Sequence, residues 1–353
     1  MNLTNQQRIL GLLLGGAVGD TIGLPAEGMS AERIARWWPG ELKHRFVFGC
    51  GMISDDMEHA LMTAQALIEA DGDAGKFRRA LAWKLRWWFL GLPAGVGLAT
   101  ARACLRLWLG ISPERSGVRS AGNGPTVRSA IIGVFFARNE VLRRQFVTAS
   151  TRITHTDPRA ETAALVVAEA AAWIMCDKPA NDFVTQLPAL GNDSEWLRVC
   201  KQLTDGLQAG KSVQQFAEML GLKSAVTGYA YHTVPVALFA WLRHHGNYAE
   251  AVESVIRCGG DTDTVGAIVG SLAGCSVGRD GIPARWIAGI KDWPRSIKLI
   301  EKVATRISEG KRPEAVGYFW PGVIPRNLIF FVIVLVHGLL RIFPPYQNHQ
   351  TKG

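Results

Sequence analysis

Residues 259–275 read GGDTDTVGAIVGSLAGC, with two aspartates two positions apart, interleaved with threonines, just before a run of small apolar residues. Carboxylate and hydroxyl oxygens are the ligands that Mg²⁺, Mn²⁺ and Ca²⁺ prefer, and the spacing lets Asp261 and Asp263 reach one ion. The plainer alternative is that Asp261, Thr262, Asp263 or Thr264 caps the following helix by accepting its free N–H groups. The same chemistry occurs again in GMISDDMEHALMTAQALIEA (51–70), where Ser54, Asp55 and Asp56 precede another apolar helix. A further acidic position, Glu27, follows the glycine-rich stretch GGAVGDTIGLPA (15–26), which contains Asp20. Converging, Glu27, Asp55, Asp56, Asp261 and Asp263 would form a pocket of five carboxylates whose repulsion raises some pKa values or demands cations.

These groups must be carried by helices. Segments such as HALMTAQALIEA (59–70), RAETAALVVAEAAAWIM (159–175) and YAEAVESVIRC (248–258) are rich in Ala and Leu, and strand alternation is nearly absent. Breaks fall at GLPAGVG (91–97), SAGNGPT (120–126) and KPAND (178–182), none long enough for an interdomain linker. The expected fold is all-α, one compact domain over residues 1–320. Gly, Ala and Ser spacing in 266–278 predicts a central helix that its neighbours approach closely.

With 353 residues, 48% hydrophobic and 20% charged, the chain can bury a sizeable core. Its six cysteines show no C-x-x-C pair, which argues against structural zinc and a disulfide scaffold. The N-terminal run lacks the basic region and cleavage site of a signal peptide, so a cytoplasmic location is expected. The net charge of +9 is concentrated in residues 76–159, which hold two Lys and thirteen Arg against Glu114, Glu140 and Asp157. Solvated helix faces explain scattered arginines better than a nucleic-acid face, so no specific nucleic-acid partner is expected; an acidic or phosphate-bearing partner is the remaining explanation.

Taken together, GGAVGDTIGLPAE (15–27), ISDDMEHALMTAQAL (53–67), GNGPTVRSAIIGVFF (122–136), THTDPRAETAALVVAEA (154–170), GYAYHTVPVALFAWL (228–242) and CGGDTDTVGAIVGSLAG (258–274) resemble the ADP-ribosylglycohydrolase family over about residues 8–292. The resemblance implies an orthogonal multi-helix bundle and a dinuclear Mg²⁺ site, with Mn²⁺ as a substitute. By the same resemblance Ser54, Asp55 and Asp56 would hold one ion, Asp261 and Thr264 the other, and Asp263 would bridge them. Met57 stands where the family often has Thr, outside the implied ligands. Gly122, Asn123 and Gly124 would approach the diphosphate or ribose, His155 would line the pocket, and Tyr231 would border the adenine or distal ribose unless it is a core residue; His232 could serve in its place. The implied reaction removes ADP-ribose from a modified protein, arginine-linked first, with Glu27, Asp55 or Asp56 moving the proton. A non-catalytic ADP-ribose-binding or structural member, a hydrolase of another linkage, and a two-metal phosphoesterase are the alternatives.

The C-terminal stretch PRNLIFFVIVLVHGLLRIFPP (325–345) departs from that pattern, with fourteen uncharged residues, 327–340, between Arg326 and Arg341. As a helix this run measures roughly 21 Å, short of a hydrocarbon core of about 30 Å. It is expected to be an extension, 321–353, that docks on the domain, self-associates or anchors to a membrane surface through 327–343. Deleting 323–353 is expected to leave hydrolysis nearly unchanged.

Overall fold

Glycines recur every fourth residue on helix α1 (Asn5–Gly23), at 11, 15, 19 and 23, and again on helix α6 (Thr262–Val277), at 266, 270 and 274. The computed structural model, which describes residues 3–310 and 314–341, packs these two rows against each other in antiparallel fashion. A β-carbon added at Gly11, Gly15 or Gly19 would lie 2.1, 2.2 or 1.9 Å from the carbonyl oxygen of Gly274, Gly270 or Gly266. Backbone therefore meets backbone, and only hydrogen fits in the seam. All of α6 from Thr262 to Cys275 is buried, as the sequence expectation of a central helix requires.

Among the described residues all regular elements are helices, with only isolated β-bridges between loops. Between α1 and α6 come α2 (Asp55–Ala70), α3 (Ala74–Leu90), α4 (Leu98–Trp108) and, later, α5 (Ala230–Arg243), along with other helices that include Pro158–Met175 and Ser194–Gln208. The six cysteines are free thiols.

Helix α7 (Val323–Leu340) docks on the domain, one of the outcomes expected for the extension. Arg326 is buried and donates to Glu58 Oε1 from Nη1 at 3.2 Å, to Asp292 Oδ1 from Nε at 3.0 Å and to the Ile53 carbonyl at 2.6 Å. Glu58, itself buried, also pairs with Arg295 and accepts from Trp88 Nε1 at 2.5 Å. Asn327 is wholly buried and donates to the Gly91 carbonyl at 2.7 Å. The start of the extension therefore completes a charge network inside the domain. Residues 342–353, including 342–343 of the segment expected to associate, lie outside the described residues.

Gly19→Ala is expected to destabilise the protein by about 3 kcal/mol or more, because a backbone oxygen cannot turn aside as a side chain would. Gly338→Ala, where a β-carbon meets nothing within 4 Å, should be neutral or stabilising by up to about 1 kcal/mol. Urea unfolding of both variants beside the parent distinguishes seam from surface. By the same measurement Arg326→Ala should cost about 3–5 kcal/mol, since it leaves two buried carboxylates short of a cation; a neutral result would show that the docked extension does not contribute to the stability of the domain.

Candidate functional site

The antiparallel seam brings the C-terminal end of α1 beside the N-terminal end of α6, so Asp20 and the Glu27 loop stand near Asp261 and Asp263. Gly259 and Gly260 seat this corner. Both have positive φ, 71° and 85°, and a β-carbon at Gly260 would lie 1.9 Å from the Val226 carbonyl. Backbone bonds from Gly28 N to Gly260 O (2.8 Å), Gly260 N to Met29 O (2.8 Å) and Asp261 N to Val226 O (2.9 Å) stitch three loops together. The glycine pair exists to be threaded between them.

The result is a cleft of about 530 Å³ walled by Glu27, Ser54, Asp55, Asp56, Gly122, Asn123, Gly124, His155, Asp261, Asp263 and Thr264. Among the described residues its lining contains no Lys or Arg. Asp261 sits at the cap position of α6, yet its side chain makes no capping bond and instead accepts from Asn123 Nδ2 at 2.6 Å. Asn123 also reaches Thr233 Oγ1 at 2.8 Å. Capping thus fails to explain Asp261, whereas it does account for the Ser54 hydroxyl, which accepts from Asp56 N at 3.1 Å. Asp56 is held by Thr264 Oγ1 at 2.6 Å, and Asp20 accepts from Ser54 N at 2.8 Å. Asp263 Oδ1 and Asp20 Oδ1 are buried with no hydrogen-bond partner.

Burial and crowding favour the protonated forms of Asp55, Asp56 and Asp263. Burial and then the charge of Asp261 push Asp56 up to about 7, with the Thr264 hydroxyl opposing the shift. Asp55 and Asp263 are raised well above the usual range, first by burial and then by neighbouring carboxylates. Glu27 is raised by the protein around it and by Asp261, although solvent at the exposed rim tempers that shift, as does Arg341. His155 is pushed down to about 3 by burial and the Arg128 guanidinium, so it is a neutral hydrogen-bonding group. Its Nδ1 pairs with Thr154 Oγ1 at 2.9 Å, and a β-carbon on Gly122 would come within 3.1 Å of Nε2, which is why the loop needs glycine there.

The chemistry of the donors suits hard divalent cations: unpaired carboxylate oxygens, adjacent hydroxyls and no competing ammonium or guanidinium. Among the described residues, no three His, Cys, Asp or Glu side chains close on one point as an ion cage. The carboxylates ring the cleft, so Ser54, Thr264 and water oxygens would complete any coordination shell.

Eleven of the residues singled out in the sequence share this cleft, and Tyr231 does not. It begins α5 on the inward phase, fully buried, with its hydroxyl on Asp193 Oδ2 at 2.7 Å and its ring against Trp196. His232 is bonded to Thr227 and is absent from the cleft wall. Met57 is buried against the α1–α6 seam at Gly16. Sequence reading missed His59, one turn beyond Asp55 on the same face of α2, which its i,i+4 spacing could have revealed. It also missed the tail. Phe330 and Val334 of α7 line the cleft, while His337 Nε2 meets the Pro25 carbonyl at 2.9 Å and Arg341 Nη2 donates to the Glu27 carbonyl at 2.8 Å. The extension therefore pins the loop that carries Glu27, and hydrolysis is not expected to be indifferent to its deletion.

The family model described as ADP-ribosylglycohydrolase matches residues 1–313. The ADP-ribosyl-dinitrogen reductase glycohydrolase of Rhodospirillum rubrum is 25% identical over 290 residues, covering 80% of this chain and 89% of its own. An ADP-ribosylarginine hydrolase of Pseudomonas putida is 26% identical over 340 residues, covering 88% of this chain and 81% of its own. A solved structure titled ADP-ribosylglycohydrolase-related protein complex superposes with a TM-score of 0.64 at 25% identity, covering 87% of this chain and 98% of that one.

The raised carboxylate pKa values carry a sign. An unfolded aspartate titrates near about 3.9, so with Asp56 at about 7 the folded chain binds more protons than the unfolded chain between those values. Stability contributed by that proton is present below the lower value and is lost as pH rises through the upper one. In the presence of chelator, Tm is expected to fall across this window, and Asp56→Asn should flatten the fall. Mg²⁺ should raise Tm strongly above about pH 7 and little near about pH 5, where protons occupy the same oxygens. Equal Mg²⁺ effects at both pH values would contradict the proton-loaded cleft.

Proposed function

The chain belongs to the ADP-ribosylglycohydrolase family, and from that membership and its carboxylate-walled cleft we propose that it releases ADP-ribose from the arginine side chain of a modified protein. The observation that carries the reading is the unopposed set of Glu27, Asp55, Asp56, Asp261 and Asp263, with the buried Oδ1 of Asp263 lacking any donor. Ser54, Asp55 and Asp56 would hold one divalent cation, Asp261 and Thr264 a second, with Asp263 between them; Mg²⁺ is the first choice and Mn²⁺ the substitute. Such ions, when bound, neutralise the carboxylates, orient ribose hydroxyls and lower the pKa of water.

The residues of the chain divide the remaining work. Asn123 and Thr264 fix the orientation of Asp261 and Asp56, so that these carboxylates need not reorganise as charge develops. Gly122 and Gly124 admit the diphosphate close to backbone, and neutral His155 offers a hydrogen bond without drawing anions away from the reacting centre. In the hydrolysis, water oxygen bonds the anomeric carbon while the carbon–nitrogen bond breaks, its electron pair staying on the guanidine nitrogen. That nitrogen gains a proton and the water loses one. Glu27, at the exposed rim with a raised pKa, suits the exchange of protons with incoming and leaving groups. Among the named relatives, two act on ADP-ribosylated protein substrates by their names, one of them on ADP-ribosylarginine, and this supports the arginine linkage here.

The test offers arginine-, serine- and aspartate-linked ADP-ribosyl proteins to the purified protein with Mg²⁺ and follows free ADP-ribose. Release from the arginine linkage should dominate, and Asp263→Ala should lower it by more than the about 10–100-fold that loss of an outer-shell partner costs, with the fold intact. Preference for serine would move the assignment to another linkage. Release from none, with ADP-ribose still bound, would indicate a binding module.

A further inference from the structure

Helix α7 is apolar over most of its surface, with a mean hydropathy of 2.1 over its most apolar 18-residue window, yet it is buried on one side only. Its inner face is fastened to the domain at both ends, by Arg326 and Asn327 at the start and by His337 and Arg341 at the finish. The outer face presents Leu328, Phe331, Val332, Leu335 and Leu339, each at least half exposed, at helical spacing. Single exposed apolar residues need no explanation, but a continuous stripe of this kind marks an interaction surface.

The stripe continues onto α3 and α4. Trp320, just ahead of α7, packs on Trp87 with ring centroids 5.6 Å apart, and Trp87 in turn touches Trp83 and Trp108 at 5.8 and 5.9 Å. Leu98 and Leu105 are exposed on one face of α4 with Arg102 between them, and Arg79 and Trp83 share the outer face of α3. Residues 74–113 contain seven Lys or Arg and no Asp or Glu, and residues 315–341 contain no acid either. Trp83, Trp87 and Trp320 also wall a cleft of about 530 Å³.

We propose that this face rests on an anionic lipid surface, with α7 lying in the plane of the interface and its outer stripe among the acyl chains. Tryptophan rings suit the level of the headgroups, and long Arg and Lys side chains reach anionic phosphates while their stems stay in apolar surroundings. The tryptophan-walled cleft gives an acyl chain depth to enter. Charge decides against a second copy as the occupant, since two such faces would oppose basic side chains to basic side chains. Burial decides against a spanning helix, because swinging α7 away would strip Glu58 and Asp292 of Arg326. Phe330 and Val334 on the inner side line the catalytic cleft, so lipid binding would hold that cleft close to the membrane surface.

The full-length protein should co-sediment with phosphatidylcholine vesicles that contain phosphatidylglycerol, bind pure phosphatidylcholine vesicles far less, and be released by salt. Phe331→Asp combined with Leu335→Asp should weaken partitioning about tenfold or more, while circular dichroism and Tm stay those of the parent. Leu197→Asp, on an exposed position of a different helix, controls for added charge. Vesicle binding does not depend on hydrolysis, so its failure is separable from failure of the assigned activity. Absence of binding to anionic vesicles, or equal binding by the double variant, would overturn the proposal. So would sedimentation as a dimer that the double variant abolishes, without lipid binding, which would make the face a contact between copies.

Discussion

The close contact between the backbones of α1 and α6 fixes everything that surrounds it. With carbonyl oxygens standing where β-carbons would be, the two helices cannot slide or rotate relative to one another without collision, and their ends keep a constant separation. Those ends carry the acids. Asp20 and the loop to Glu27 leave α1 where Asp261 and Asp263 enter α6, so a packing constraint in the core becomes a positional constraint on carboxylates. Gly259 and Gly260 extend the same device into the loops, replacing side chains by direct backbone bonds.

Two sets of buried carboxylates in this molecule are treated in opposite ways. Glu58 and Asp292 are closed in by Arg295 and Arg326, and their hydrogen bonds are satisfied within the protein. Asp55, Asp56 and Asp263 lie a short distance along the chain or across the seam, and the described residues of the wall around them supply hydroxyls, an amide and backbone but no cationic side chain. A fold able to neutralise acids with arginine has left these free. The first set holds the extension in place; the second stores electrostatic strain that protons or divalent ions can relieve.

Much of this was legible in the sequence because the signals are local. Small residues at fourfold spacing predict close helix approach, and acids placed just before apolar helices predict side chains gathered at helix starts. Asn123 was legible as a member of the site, but its bond to Asp261 joins residues far apart in the chain and has no local signature. Tyr231 was left open between the pocket and the core for a related reason: Tyr229 and Tyr231 are two residues apart, and only the phase at which α5 starts decides which ring turns inward. Arg326 read as the border of an apolar run, since the partners that make it a core residue, Glu58 and Asp292, are distant in sequence. An arginine at the edge of a hydrophobic stretch looks the same whether it faces water or a buried acid.

The seam also sets a timetable for synthesis. Gly19 and Gly266, which lie in contact, are 247 residues apart in the chain, so α1 leaves the ribosome on the order of 10–50 s before its partner exists. Throughout that interval the stretch from Asn5 to Ala26, whose most apolar 18-residue window has a mean hydropathy of 1.6 and is 94% buried in the finished protein, lacks its principal partner. The centre of the fold is begun first and closed nearly last. A nascent chain of this design needs its opening helix shielded until the two rows of glycine meet.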